Sequence, residues 1–294
     1  MKKLLFFLLL IPMAIRGQDL HFKAPKVPDY VVFAGDTVRM DRLDFRERMD
    51  RELLSFTNMH TNSMLMLKRS KRVFGLVVPI LKAHGIPEDL KYLMAIESNL
   101  DPNAVSVAGA SGLWQFTKAT AATYHLEVNA EVDERFHMEK ETVAACQYLK
   151  ASYRKFGSWT LAAAAFNCGN GRISKTKDEQ RVDSYYDMLL PEETQRYVFR
   201  ILALKLITEN PEKYGFQISD NGWYRPYETK TVTVTESIPD LVQFAYNQGT
   251  NYKMLRYFNP WLRGTSLTIS QGNSYDIKIP TGDYAKTHKK MRSE

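Results

Sequence analysis

Apolar and polar positions follow two different periods along this chain, and the change of period divides it. A short apolar run at Leu4–Ile11 gives way to a Pro-punctuated extended segment, Ala24–Val38. From Asp41 to about Arg72, apolar residues recur every three or four positions, the spacing that buries one stripe of an α-helix. Helical stripes continue from Phe74 to about Asn210, with no long alternating stretch among them. Pro211–Tyr227 holds two Pro and two Gly among mixed polar residues and reads as a boundary. Beyond it Thr229–Thr235 alternates as a short strand, and helical patterns follow at Asp240–Gln248 and Tyr252–Phe258. A turn at Asn259-Pro260 and a second strand, Tyr275–Ile279, complete a βααβ unit. The pattern predicts a mainly α protein with a small α+β module at its C-terminal end.

The start of the chain carries an address. Met-Lys-Lys precedes the apolar run, which is too short to span a bilayer, and Ile15-Arg16-Gly17 precedes the polar Gln18-Asp19. Together these describe a secretory signal peptide at 1–17, with an uncleaved anchor as the alternative. The mature protein is therefore expected outside the cytoplasm, with no integral membrane span after cleavage. In an oxidising compartment the two cysteines raise the question of a disulfide. Cys146 lies on the stripe Val143, Leu149, Tyr153, Phe156, and Cys168 lies in a Gly-rich loop. Two free thiols are favoured over a bridge.

Composition narrows the class. At 294 residues, 44% hydrophobic and 25% charged, the chain has the make-up of a globular protein of about two domains. The formal charge of +7 is concentrated at the ends: Lys2, Lys3 and Arg16 first, then Lys286, Lys289, Lys290 and Arg292. The body is nearly balanced, which argues against nucleic acid as a partner. Its one basic run, Lys68–Arg72, reads as a solvated helix face. The six His are scattered without a metal-binding spacing, so neither metal nor cofactor is expected.

The chemistry concentrates in Gly85–Phe116. Pro87 with Glu88 and Asp89 suits a first helical turn. Ile86, Leu90, Leu93 and Met94 form the buried stripe, and Glu97 continues it seven residues after Leu90. A carboxyl on an apolar face loses hydration, and its pKa rises toward the value a proton donor needs near neutrality. The other reading is a Glu at a helix end that reaches solvent. The small-residue loop Ser106–Gly112 then opens into Leu113-Trp114-Gln115-Phe116. Small residues let a backbone approach a bulky ligand, while Trp and Gln suit an N-acetylated sugar. A tight helix–helix corner would use the same residues. No Gly-x-Ser-x-Gly elbow is present, which excludes that serine hydrolase arrangement.

These residues resemble a known family. Ala95-Ile96-Glu97-Ser98-Asn99-Leu100, with Ala104, Ser106, Gly109-Ala110 and Gly112–Phe116, looks like the core of the lytic transglycosylases of the soluble and membrane-bound D types. Val132-Asp133-Glu134-Arg135, Ala163–Gly169 and Glu193–Val198 are similar to three further motifs of that family, in the same order. Three positions depart from it: Phe166 stands where the family has Tyr, Cys168 where it has Ala, and Gln195 where it has Arg. The C-terminal unit resembles a degenerate LysM, a glycan-binding module.

The resemblance implies a lysozyme-like helical catalytic domain acting on peptidoglycan glycan strands in the bacterial periplasm or cell envelope. Glu97 would be its single catalytic acid, then base, cleaving the MurNAc–GlcNAc β-1,4 bond and closing a 1,6-anhydro ring on MurNAc. Ser98, Ser106, Gln115, Asn167 and Tyr197 would contact substrate or the glutamate. Trp114 would be either a sugar platform or core. A hydrolytic muramidase on the same fold, or a non-catalytic peptidoglycan-binding protein, would carry the same motifs. The expected division is signal 1–17, an N-terminal segment 18–72, catalytic domain 73–212, linker 213–228, LysM-like module 229–281 and basic tail 282–294.

Overall fold

The computed structural model describes residues 24–285; the expected signal peptide at 1–17 and most of the expected basic tail lie outside that range. The chain opens with a hairpin, β1 (Tyr30–Phe33) and β2 (Asp36–Arg39), turned at Ala34-Gly35. Val31, Phe33 and Val38 face inward, as period-2 alternation directs. Two long helices follow, α1 (Leu43–Asn58) and α2 (His60–Ala83). The first buries Phe45, Met49 and Leu53, and the second buries Met66, Leu67, Val73, Val77 and Leu81. Because α2 runs unbroken past residue 72, the expected division between the N-terminal segment and the helical domain has no counterpart in the packing. The hairpin, α1 and α2 share one apolar core with buried residues of the helices that follow and with Phe216.

Next come α3 (Lys91–Ser98), α4 (Lys118–Thr123), α5 (Met138–Phe156), α6 (Trp159–Cys168), α7 (Asn170–Gln180) and α8 (Glu192–Glu209). Local chemistry sets several of these ends. Thr117 and Ser158 accept hydrogen bonds from Thr120 and Leu161 at the starts of α4 and α6. Gly157 takes a left-handed conformation to end α5. The helix α8 is buried on most of its circumference and packs against α1, α3 and α6, so it is the axis of the domain. A charge pair ties α1 to it: Arg196 donates to both oxygens of the buried Glu52, at 2.7 and 3.1 Å.

Residues 213–228, read as a linker, are packed rather than free. Phe216 is buried and stacks on His60, and the Tyr224 N–H donates to the Lys68 carbonyl at 2.9 Å. Arg72 lies over the Tyr227 ring and donates to the Arg225 carbonyl at 2.7 Å. The basic run Lys68–Arg72 is thus the docking face for this segment, not a solvated one.

The C-terminal module has the βααβ order read from the sequence. Strand β3 (Thr229–Val234) pairs antiparallel with β4 (Tyr275–Pro280), with α9 (Leu241–Asn247) and α10 (Tyr252–Phe258) between them. Asp240 and Asn251 cap the two helices. Fully buried Asn259 joins α10 to β4, donating to the Leu255 and Lys278 carbonyls and accepting from the Lys278 N–H. The module's core also takes in Val132 and Phe136 from the helical domain. Around them the Asp133 N–H donates to the Trp261 carbonyl and the Arg263 N–H to the Glu131 carbonyl, at 2.8 and 2.7 Å. Glu131 accepts from Ser266 and from the Thr268 N–H, and Lys278 pairs with Glu139.

A shared core should unfold as a unit. Trp261 is buried between His137 and Tyr275, so Trp261→Ala should cost about 3–5 kcal/mol. Calorimetry should show one cooperative transition of the whole chain moved to lower temperature; an early transition of the module alone would contradict the shared core.

Candidate active site

A cleft of about 560 Å³ opens where the last turn of α3, the loop 106–117, α5, the end of α6 and the start of α8 meet. Its lining includes Glu97, Ser106, Gln115, Asn167 and Glu193, with Phe116, Tyr148 and Phe166 as apolar wall. Glu97 is on its floor. The α3 stripe buries Tyr92, Leu93, Met94, Ala95 and Ile96, so the helix enters the core and delivers its final carboxyl to the cleft bottom. Asn99 and Leu100 both take positive φ, 51° and 56°, to turn the chain sharply away. Two non-glycine residues in that region mark local backbone strain beside the site.

Burial pushes the Glu97 carboxyl up to about 7; a hydrogen bond from Tyr197 and the charge of Arg200 pull it down, and Glu193 adds to the rise. The Tyr197 hydroxyl donates to Glu97 Oε1. Tyr197 is itself buried, and burial and the adjacent carboxylate hold its own pKa well above the usual phenol value. It therefore stays protonated as a fixed donor.

The other expected residues divide. Ser106 lines the cleft, its hydroxyl accepting from the Ala110 N–H at 3.0 Å within a tight turn. Gln115, at φ 52°, donates to the Ala104 and Gly112 carbonyls at 3.2 and 2.8 Å, pinning the loop. The Asn167 carbonyl oxygen accepts from Thr194 at 2.7 Å, and its amide reaches Glu193 at 3.5 Å. Ser98 is buried, does not line the cleft, and donates back to the Met94 carbonyl at 3.2 Å. Trp114 is fully buried; its indole donates to Thr142 at 3.0 Å. With no exposed face, Trp114 is core and not a sugar platform.

Three features escaped the sequence reading. Glu193 faces the cleft, although the sequence marks it only as the first residue of the Glu193–Val198 motif. Tyr148 supplies wall from α5, one position off the Cys146–Leu149 stripe, and its hydroxyl is committed to the Ala165 carbonyl at 2.7 Å. Glu141 is buried behind the loop, where Oε2 accepts from the Trp114 N–H at 3.0 Å and desolvation raises its pKa well above the carboxylate range. Gly112, at φ 82°, is pressed against it: a Cβ there would stand 1.7 Å from the Arg135 carbonyl oxygen and 2.5 Å from Glu141 Oε2. The Arg135 guanidinium, gripped by Asp133 at 2.9 and 2.7 Å, donates to the Gly109 and Phe116 carbonyls and fixes both ends of the loop. Cys146 and Cys168 are both free thiols. Among the described residues, no group of three or more His, Cys, Asp or Glu is placed to hold a metal ion.

With this geometry in hand, comparison with known proteins is direct. Residues 80–188 match the family described as Transglycosylase SLT domain, and residues 230–283 match the soluble lytic transglycosylase C-terminal LysM-like domain. The chain thus carries a transglycosylase SLT domain followed by a LysM-like domain of the lytic transglycosylase type. Membrane-bound lytic murein transglycosylase D of Escherichia coli is 28% identical over 262 residues, covering 86% of this chain and 56% of that protein. This chain thus spans little more than half the length of that relative. Peptidoglycan transglycosylase gp16 of Escherichia phage T7 is 37% identical over 108 residues, 36% of this chain and 8% of that one. The X-ray structure of an inactive mutant of lytic transglycosylase Slt from Pseudomonas aeruginosa aligns at 19% identity. It covers 52% of this chain and 26% of that one, with a TM-score of 0.37.

The position of Glu97 in this transglycosylase domain has a measurable cost. Its folded pKa of about 7 exceeds the ordinary 4.5, so folding favours the protonated form. That stabilisation is complete below about pH 4.5 and is lost as pH rises through about 7. Glu97→Gln should therefore gain stability relative to the parent across that window, by at most roughly 3 kcal/mol above pH 8. Denaturant unfolding at pH 4 and pH 8 checks it; a gain of the same size at both pH values would contradict a desolvated carboxyl.

Proposed function

We propose that this chain is a peptidoglycan lytic transglycosylase of the bacterial cell envelope, with Glu97 as both acid and base. The observation that carries the reading is a carboxyl titrating near neutrality on the floor of a sugar-sized cleft, held by a buried phenol. Protonated Glu97 donates to the glycosidic oxygen between MurNAc and GlcNAc as that bond breaks. The N-acetyl oxygen of the same MurNAc supports the cationic anomeric carbon. The Glu97 carboxylate then takes the proton of the C6 hydroxyl, whose oxygen bonds to that carbon and closes the 1,6-anhydro ring. Atoms balance without water, and because the nucleophile belongs to the substrate its effective concentration is high.

Tyr197 gives this cycle its second half. Its hydroxyl stabilises the carboxylate left by the first proton transfer, which keeps the pKa near 7 rather than higher still. Ser106, Gln115 and Asn167 would bind sugar through the polar capacity that the loop bonds leave unused. Ser98 would act only through the helix that carries Glu97, since its hydroxyl is spent on the backbone. Export rests on the signal at 1–17. Among the described residues, no helix is long and apolar enough to cross a membrane. One observation favours a second reading: Glu193 puts another carboxylate in the cleft, and a hydrolytic muramidase uses two.

Product analysis on purified sacculi separates them, because the anhydro product is lighter than the hydrolytic one by one water. Anhydromuropeptides are expected, and Glu97→Gln should lower their release by about a thousandfold; an active Gln variant would end the assignment. Burial sets the raised Glu97 titration, and three groups adjust it: Tyr197 and Arg200 downward, Glu193 upward. Tyr197→Phe removes a donor to the carboxylate, so the alkaline limb of the rate profile, near pH 7 in the parent, should move to higher pH while the maximal rate falls. An unmoved limb would show that the hydroxyl does not touch the reacting carboxyl.

A further inference from the structure

Beside the cleft, and sharing Glu193 with it, a second recess of about 310 Å³ runs along α8, lined by Glu192, Glu193, Arg196 and Arg200. Three of these four are already occupied. Arg196 is committed to Glu52 at 2.7 and 3.1 Å, and Glu192 to Arg51 at 2.8 Å. Glu193 meets the Asn167 amide at 3.5 Å. Arg200 differs: half-buried, it takes part in no hydrogen bond or ion pair among the described residues. A guanidinium carries five donors in a planar fork that matches a carboxylate. Partial burial withdraws some of its water and leaves those donors in want of an acceptor.

We propose that Arg200 is a carboxylate-recognition residue of the substrate site, binding an acidic group carried on the glycan next to the bond that Glu97 cleaves. The inference rests on the reading of the cleft as a peptidoglycan site and deepens it. The muramic sugar carries a lactyl ether whose carboxyl is either free or joined to a peptide that brings carboxylates of its own; N-acetylglucosamine carries none. Arg200 lies close enough for its charge to favour the Glu97 carboxylate, so a group bound to it is near the scissile bond. Neutralising Arg200 by such a group weakens its pull on Glu97 and leaves the acid more fully protonated when substrate is seated. Arg200 would then distinguish a muramic strand from a neutral N-acetylglucosamine polymer of the same shape.

The test measures binding to the full chain carrying Glu97→Gln, with and without Arg200→Met. The probes are a neutral N-acetylglucosamine hexamer, glycan fragments stripped of peptide, and fragments that retain it. Arg200→Met should weaken one or both carboxylate-bearing probes about tenfold, as loss of a charge-assisted hydrogen bond would. The hexamer should bind within twofold of its parent value, which also reports an intact fold, and Arg200→Lys should recover part of the loss. Whether the stripped or the peptide-bearing probe responds identifies the source of the carboxylate. Equal loss on all three probes, or none on any, would overturn the proposal. With Glu97 in place, Arg200→Met should raise KM for peptidoglycan more than it lowers kcat; a change in kcat alone would show that Arg200 acts only through Glu97. Activity in the Glu97→Gln chain would instead refute the underlying assignment, a result separate from any of these.

Discussion

A carboxyl can be both proton donor and proton acceptor near neutrality only if water is largely removed from it and one firm hydrogen bond remains. In this chain that condition is met by packing α3 against α8. The first brings Glu97 to its last turn, where the negative end of the helix dipole further disfavours an ionised side chain. The second brings Tyr197, fixed by burial, to the same carboxyl oxygen. Neither helix can shift without changing the solvation of one or the donor geometry of the other. Much of the remaining domain holds α8 still: α1 through the Glu52–Arg196 pair, and α6 through a face of small residues, Ala162–Ala165, that permits close approach.

The cleft wall has a second line of support that begins outside the helical domain. The loop carrying Ser106, Gln115 and Phe116 is held at Gly109 and Phe116 by Arg135. Arg135 is oriented by Asp133, whose N–H is bound by Trp261 of the C-terminal module. Val132 and Phe136, on either side, belong to that module's core. The module is therefore built into the support of the cleft wall as well as being a unit of its own.

Electrostatics at the site follow a division of labour. Glu52, Glu192, Asp133 and Glu134 each face an Arg or Lys and serve packing. Glu141 is the exception among structural acids: it is buried without a cation and is held toward its neutral form by desolvation. Its acceptance of the Trp114 N–H lets a close-packed corner form at Gly112, where no larger residue fits. In the cleft and the recess beside it, neither Glu97 nor Arg200 takes part in an ion pair among the described residues.

The hydrophobic period by itself determined the helical class, the βααβ order of the module and the place of Glu97 on an apolar stripe. Each of these depends on neighbours three or four residues apart along a helix, or two apart along a strand. The same stripe could not tell whether Trp114 would stack on sugar or fill the core, because an aromatic at helical spacing suits either; the indole–Thr142 bond decided it. Nor could it show that Lys68–Arg72 would dock residues 213–228, or that α2 would cross the expected boundary at residue 72. Glu193 was visible as a motif residue, but its place in the cleft depends on α6 lying against α8. Tertiary packing alone set the pKa of Glu97 and, among the described residues, left Arg200 without an ion pair beside it, because solvation and charge pairing depend on which distant segments exclude water and which bring a partner.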